Sequence, residues 1–486
     1  MDSVQPVLRV LGRVLMGFSL AYLVPLAWSI GATEGTHAPV WALGFLATLL
    51  AGWALGWSVR RHNRELKPRD GFLLVTLAWV VLPACAAVPM MWTVPGIDWA
   101  DAYFESMSAL TATGATALTG LDRLPLSVNI WRCFLQYIGG LGIILLVIAV
   151  LPLLGLGGMQ LYRAETPGPL KDDKLTPRIA ETARGLWTMY FLFSGACLLA
   201  YRLAGMDWPD AFMHMCTTMA LGGFSSHDAS LAHFESPLIE GVAIVFMTLA
   251  GISFLRYFAV WHTRSLGALR RDTEIKAYLL VLLSATLVIS FLLLAQGVHD
   301  DLPAAVRAAA FHVVSLGTTT GHVAADYTLW PAFAPVLMIL LGCFATCAGS
   351  TGGGIKMVRL VLLLKLARRE LVRIIHPRVV NPVTLGGATV PASVLAAVMA
   401  FMLIYGASIM GLTLVLLLSG LDLVTGFSAV VVCLNNIGPG LGEVGPIGHF
   451  GVLNDFQVSV LSFAMLLGRL ELMTVLVLFM PRFWRK

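Results

Sequence analysis

The chain has 486 residues, of which 58% are hydrophobic and only 12% charged, with a net charge of +5. Soluble domains carry about 25% charged residues, so a water-soluble globular protein is excluded, and on so apolar a chain the positive balance is no nucleic-acid signal. The seven cysteines form no CxxC pair and have no histidine at metal-ligand spacing; in apolar runs they read as free buried thiols.

A helix needs about 20 apolar residues to cross the hydrocarbon core. Such runs occur near residues 12–31, 39–59, 71–92, 129–155, 184–204, 237–262, 277–296, 332–364, 391–419 and 455–481, which predicts ten spans. The first run lacks a small-residue cleavage site and a second follows closely, so it reads as a retained span. Of the 32 Lys and Arg, 26 lie in six segments: the N-terminus, 60–69, 163–184, 264–276, 356–378 and the last five residues. The positive-inside rule makes these cytoplasmic, with both termini inside. The opposite loops are acidic, which concentrates cations at a mouth.

Four of the acidic-side loops open with a semi-apolar stretch that ends at a Gly-rich turn. They read DAYFESMSALTATGAT (Asp101 to Thr116), DAFMHMCTTMALGGFSS (Asp210 to Ser226), RAAAFHVVSLGTTTGH (Arg307 to His322) and TGFSAVVVCLNNIGPG (Thr425 to Gly440). A helix of that length is about 20 Å long, too short to cross a core of roughly 30 Å. The unit of span, half-helix, Gly turn and span thus recurs four times after two leading spans, the mark of a symmetric assembly within one chain. Short surface helices are the alternative. Non-helical backbone at membrane depth must line a cavity or be buried in protein, and four such turns about one axis make a pore.

A pore that selects a dehydrated cation needs rings of backbone carbonyls. Glycine adopts the required conformations at least cost, and each half-helix points its partly negative C-terminus at the ion. Aligning the glycines gives Ala112-Thr113-Gly114, Leu221-Gly222-Gly223, Thr319-Thr320-Gly321 and Asn436-Ile437-Gly438 as the coordinating segments. The carbonyls of the two residues before each glycine form the expected ring. In the fourth turn Gly440 and Gly442 compete with Gly438 for the register.

With these motifs the chain resembles the TrkH-type potassium-uptake proteins of the bacterial Trk/Ktr/HKT superfamily over essentially its full length. The resemblance is carried by Phe104 to Thr116, QYIGGLGI (Gln136 to Ile143), TPRIAETA (Thr176 to Ala183), FHVVSLGTTTGHVAADY (Phe311 to Tyr327) and CLNNIGPGLGEVGP (Cys433 to Pro446). Two positions depart from the family pattern: His322 stands where Phe is usual, and Leu221 where Thr is common. The expected fold is an all-α polytopic membrane protein, with four M1–P–M2 potassium-channel-like repeats around a pseudo-fourfold pore. Its expected divisions are two leading helices (1–70), repeat 1 (71–160), a cytoplasmic linker (161–183), repeat 2 (184–270), repeat 3 (271–378) and repeat 4 (379–486). The expected function is potassium uptake across the bacterial inner membrane, with potassium as substrate and no bound cofactor. Passive and proton- or sodium-coupled transport both stay open, as does discrimination against sodium and rubidium.

CAGSTGGGIK (Cys347 to Lys356) holds Gly349, Gly352, Gly353, Gly354 and Lys356. Consecutive glycines, each costing about 1 kcal/mol against Ala, break a helix. Ile355-Lys356 in place of Lys-Ser/Thr argues against a phosphate loop. The resemblance implies a mobile intramembrane gating loop at 347–356; a plain kink is the alternative. Arg469 in LLGRLEL is a charge within a span, and such charges face cavities. The resemblance makes it an electrostatic barrier below the filter, while the structural alternative bonds it to carbonyls of the Gly-rich loop. The basic residues Lys365, Arg368, Arg369, Arg373 and Arg378 suit anionic lipid. The resemblance adds a homodimer and a separate cytosolic nucleotide-binding regulatory ring of the TrkA type. Competing readings are the translocating subunit of an ATP-driven potassium pump and a secondary transporter of an organic solute, which calls for inverted repeats. A membrane enzyme lacks any nucleophile–base or metal constellation.

Overall fold

Backbone groups in lipid must be satisfied within the chain, which favours helices, and this chain is built from them. The computed structural model describes residues 4–31, 35–60, 67–149 and 175–485. Its main helices begin with α1 (Gln5–Ser19), α2 (Leu23–Gly31), α3 (Ala38–Ser58), α4 (Pro68–Thr93), α5 (Trp99–Leu110), α6 (Leu126–Ala149) and α7 (Leu175–Leu203). There follow α8 (Trp208–Met219), α9 (Pro237–Ala250), α10 (Phe254–Thr263), α11 (Gly267–Arg270), α12 (Thr273–Ala295), α13 (Leu302–Gly317) and α14 (Phe333–Phe344). The chain ends with α15 (Met357–Ile375), α16 (Ala392–Leu418), α17 (Leu423–Leu434), α18 (Asp455–Arg469), α19 (Met473–Leu476) and α20 (Pro481–Trp484). Among the described residues the strands amount to one small hairpin, Thr384–Leu385 with Ala388–Thr389.

Lipid gives little hydrophobic drive for helices to associate, so small residues that let backbones touch take over. A Cβ on Gly12 of α1 would sit 2.6 Å from the Gly52 carbonyl oxygen of α3. Tyr22, just after α1, stacks on Trp131 of α6 with centroids 4.5 Å apart. Trp131 also donates to the Ala86 carbonyl of α4 at 3.2 Å, so its stack with Tyr22 ties the leading helices to the rest. Apolar side chains facing away from the bundle remain uncovered, Leu418 by 89%.

Six of the ten expected spans are helical runs long and apolar enough to cross a membrane: Gln5–Gly31, Ala38–Ser58, Arg69–Thr93, Thr182–Leu203, Thr273–Ala295 and Ala392–Leu418. The run at 129–155 is helical from Leu126 to Ala149, and its remainder lies outside the described residues. Three others are not single helices. The run at 237–262 bends by 82° between α9 and α10, and the run at 455–481 bends by 107° between α18 and α19. The run at 332–364 stops at Phe344 and resumes at Met357. Hydropathy averaged over a window is blind to such breaks. The second bend is made by Glu471 and Leu472 at φ 55° and 50°. Of the linker expected at 161–183, residues 161–174 lie outside the described ones, and from Leu175 the chain is already helical.

Four short helices, α5, α8, α13 and α17, carry the Gly-rich turns. Asp98, Asp207 and Asp422 cap three of them by accepting from the backbone N–H three residues on, which satisfies a donor the first turn leaves orphaned. The fourth, α13, begins after Asp301 with Pro303 in its first turn.

Candidate functional site

Each short helix ends in the same way. Thr113, Gly222, Thr320 and Ile437 donate their backbone N–H to the carbonyls of Ser108, Thr217, Ser315 and Val432 at 2.8–2.9 Å. The residues just before them, Ala112, Leu221, Thr319 and Asn436, donate to Ala109, Thr218, Leu316 and Cys433 at 3.0–3.3 Å. This pair of bonds is the Schellman ending, which places one residue in the left-handed region, usually glycine. Here that residue is Ala112 (φ 50°), Leu221 (φ 54°), Thr319 (φ 62°) or Asn436 (φ 55°). Left-handed backbone at a non-glycine residue costs roughly 1–2 kcal/mol. The same strain at the same place in four turns marks a functional constraint. Two residues further on, Gly114, Gly223, Gly321 and Gly438 take φ of 83°, 74°, 81° and 102°. In the fourth turn Gly438 stands two residues after the left-handed Asn436, as in the other three; of its competitors Gly442 is also left-handed, at φ 67°, and Gly440 is not.

The four turns meet in cyclic order. A Cβ on Gly114 would lie 2.2 Å from the Gly222 carbonyl oxygen, one on Gly223 1.9 Å from that of Thr320, and one on Gly321 2.1 Å from that of Ile437. One on Gly438 would return to the first turn, 2.9 Å from the Thr113 oxygen. Turn one touches two, two touches three, three touches four, and four touches one: a closed ring of backbone. Any side chain at these glycines would collide with a neighbouring carbonyl.

Side chains hold the ring, among them Glu105 and Arg132, which sequence reasoning passed over. Glu105 of α5 and Arg132 of α6 form a fully buried ion pair at 2.7 Å. Glu105 also accepts from Thr116 and from the Ala117 N–H, and Arg132 donates to the Ser225 carbonyl at 3.2 Å. Turns one and two are thereby fixed to one charge pair. Gln136 fills the space where Gly222 has no side chain, donating to the Gly222 carbonyl at 2.7 Å and accepting from the Phe224 N–H at 3.2 Å. One of the expected coordinating oxygens thus carries a hydrogen bond as well, which a carbonyl with two lone pairs allows. Asn436 donates to the Thr113 hydroxyl at 2.9 Å. The buried His322 carbonyl accepts from Ser315 at 2.6 Å, and its Nε2 lies 3.3 Å from the Thr218 hydroxyl. The signal for Glu105 and Arg132 was available: each is a charge in an apolar stretch.

On the helix side of the ring, residues 345–356 form the non-helical stretch between α14 and α15. The Gly353 N–H donates to the Thr319 hydroxyl at 2.9 Å, and a Cβ there would lie 2.2 Å from the Asn435 carbonyl. Thr351 donates to the Met219 carbonyl at 3.0 Å. The stretch therefore lies against the ends of α8, α13 and α17. Its own backbone bonds close the bend between α9 and α10: Cys347 N–H donates to Gly251 and Phe254 N–H to Gly349. Glu274 of α12 accepts from the Ala348 and Val358 N–H groups at 2.8 and 3.1 Å. The Lys356 ammonium donates to the Gly352 carbonyl. Arg469, 2% exposed at the end of α18, donates to the Thr351 carbonyl at 2.9 Å and to the Gly139 carbonyl of α6 at 3.1 Å. Its contacts are those of the structural alternative, and they join the loop to two helices distant in sequence. Glu471 pairs instead with Arg359 of α15 at 2.5 Å.

On the opposite side a cavity is lined by Gly114, Gly223, Gly321 and Pro439, and by His227 and Asp228. Several acidic residues expected to line this mouth are engaged locally: Asp98, Asp207 and Asp326 cap helices, and Glu240 pairs with Arg307. Burial disfavours a charged His227, but the carboxylates of Asp210 and Asp122 outweigh it and raise its pKa above the ordinary value. The seven cysteines are free.

The sequence profile of the TrkH family, described as a cation transport protein, matches residues 37–486. The chain is 43% identical over 482 residues to the Trk system potassium uptake protein TrkH of Vibrio parahaemolyticus, covering 99% of both. It is 41% identical to the protein of the same name from Escherichia coli, over 98% of this chain and 99% of that one. The crystal structure of the potassium transporter TrkH from Vibrio parahaemolyticus superposes with a TM-score of 0.92 at 40% identity, covering 99% of each chain.

Proposed function

This chain belongs to the TrkH family of cation transport proteins, and from that premise we propose that it takes up potassium, with the ring of four turns as its selectivity filter. The carbonyl oxygens of Ala112, Thr113, Leu221, Gly222, Thr319, Thr320, Asn436 and Ile437 stand in for the ion's hydration shell. The observation that carries this reading is the cyclic closure of four turns with one backbone conformation. Rings of carbonyls at helix C-termini bind a desolvated cation without any charged side chain.

The stretch around 347–356 and Arg469 serve as the gate. Their support is position: both sit on the helix side of the ring, linked by the Arg469–Thr351 bond. A guanidinium there opposes a passing cation. The repeat boundaries, the inner-membrane location with both termini cytoplasmic, homodimer assembly and docking of a TrkA-type nucleotide-binding ring belong to the same proposal. The basic stretch of α15 supports the last, since Arg368, Arg369 and Arg373 are not buried.

The test is growth of a potassium-uptake-deficient bacterium at low potassium. The chain is expected to restore it, and Gly223→Asp or Gly321→Asp to abolish it with the protein still present in the membrane. Unimpaired growth with both substitutions would overturn the filter assignment.

A further inference from the structure

Outside the filter, the mouth carries a donor cluster that ion permeation does not call for. Asp122 lies in a short turn at Leu121–Arg123, after the first filter turn, while His227 and His233 follow the second. Each of the three offers one ligand atom, and these atoms lie within 4.8 Å of one another. The two imidazoles are parallel, with centroids 3.5 Å apart and planes 3° apart. We propose that Asp122, His227 and His233 form a binding site for a divalent transition-metal ion, of which zinc is the best match, on the rim of the mouth cavity.

The donor chemistry fits. Two neutral imidazoles and one carboxylate, with a fourth position left to water, are a set that zinc accepts in tetrahedral geometry. The two ring nitrogens of His227 have distinct partners. Nδ1 faces the Asp122 carboxylate, and Nε2 lies 3.3 Å from Asp210 Oδ2. With the metal on Nδ1 beside Asp122, the Nε2–H donates to Asp210, the outer carboxylate that commonly orients a metal-bound histidine.

The scaffold is held in place before any ion arrives. Leu121 N–H donates to Asp228 Oδ1 at 3.1 Å, and Asp228 N–H to Asp122 Oδ2 at 3.3 Å, so the two ligand-bearing loops are cross-linked. Phe234 presents its ring edge-on to both histidines, at 5.4 and 5.2 Å. Asp122 and His233 are exposed and His227 is half-buried, so an ion from solvent reaches the ligands. Zinc bonds of about 2.0–2.2 Å in tetrahedral geometry require His227 and Asp122, now directly hydrogen-bonded, to part around the ion and His233 to turn out of the parallel stack, which the exposure of Asp122 and His233 permits. The bound ion places a double positive charge on the rim of the cavity and clamps the loops after turns one and two together. Potassium approaching from that side is repelled.

Zinc titrated into the purified full-length protein, followed by calorimetry against a competing chelator, is expected to show one equivalent bound at this site. His233→Ala and Asp122→Asn should each weaken that equivalent by about 10–100-fold while leaving the elution profile of the protein unchanged. Absence of binding, or identical binding in wild type and both variants, would overturn the site. This measurement does not depend on the pore reading. The transport consequence does rest on it: in proteoliposomes, zinc on the mouth side should slow rubidium flux severalfold in wild type and much less in His233→Ala, whose flux without zinc equals wild type. Zinc binding with unchanged flux would retain the site and refute its influence on permeation.

Discussion

The two faces of the ring are built on opposite principles. On the ring itself, four segments with different side chains adopt one backbone conformation, down to the left-handed residue and the two bonds that hold it. On the helix side that regularity ends. A single stretch, 345–356, lies against the ends of three short helices, and a single arginine at the end of α18 joins it to α6. A property shared by all four turns must come from backbone, because only backbone is common to them. A property that has to change with conditions is better placed in one copy, where it can move without breaking the ring. Selection and gating, as proposed, divide along that line.

The comparison can be broken at several points. The largest effect is expected at the glycines: Gly223→Ala puts a methyl carbon 1.9 Å from the Thr320 carbonyl oxygen, and rubidium uptake should fall to background. Uptake near wild type would mean that the turns do not form the conducting ring. Next is the buried charge pair. Glu105→Ala leaves Arg132 uncompensated, and breaking such a pair costs about 3–5 kcal/mol, visible as a large drop in melting temperature of the detergent-solubilised protein. A melting temperature within a degree or two of wild type would show that the pair does not brace turns one and two.

The helix side should respond in the other direction. Arg469→Ala removes a positive charge and both bonds to the Thr351 and Gly139 carbonyls. Unregulated flux should rise about tenfold, the equivalent of ~1.4 kcal/mol of barrier. Unchanged flux with lowered thermal stability would reduce the arginine to a brace. The smallest effect sharpens the symmetry argument: Gln136→Leu frees the Gly222 carbonyl from its hydrogen bond. The ratio of potassium to sodium flux should shift severalfold, by less than ~1.4 kcal/mol, with total flux largely kept. An unaltered ratio would show that this oxygen does not face the ion.

How far the sequence speaks for the site depends on which interactions are local. The positions of Gly114, Gly223, Gly321 and Gly438 are legible because a glycine turn after a half-length helix leaves a pattern within about 16 residues. That the first left-handed residue of three turns is Ala112, Leu221 or Thr319 is not legible, since those residue types do not announce the conformation; only Asn436 is of a type enriched there. The bends after Ala250 and Arg469 escape for a different reason. The second closes locally, Leu472 N–H donating to Leu467, at a Glu and a Leu whose types signal no turn, whereas the first satisfies its freed backbone groups with residues far along the chain, as when Cys347 bonds Gly251. Glu274 is hidden in the same way: at the start of an apolar span it reads as a surface charge, whereas it accepts from Ala348 and Val358. Arg469 stood out as a charge among leucines, but its partners lie 118 and 330 positions away.

Because the ring is closed within one polypeptide, its quarters are separate loci. At the level just before the glycines stand Thr113, Gly222, Thr320 and Ile437, three kinds of residue at four equivalent stations. An assembly of four identical subunits must accept any mutation there four times over. With the ring acting as the proposed filter, a drift in one quarter perturbs a fourth of the carbonyls, so ion preference can be adjusted in small inherited steps.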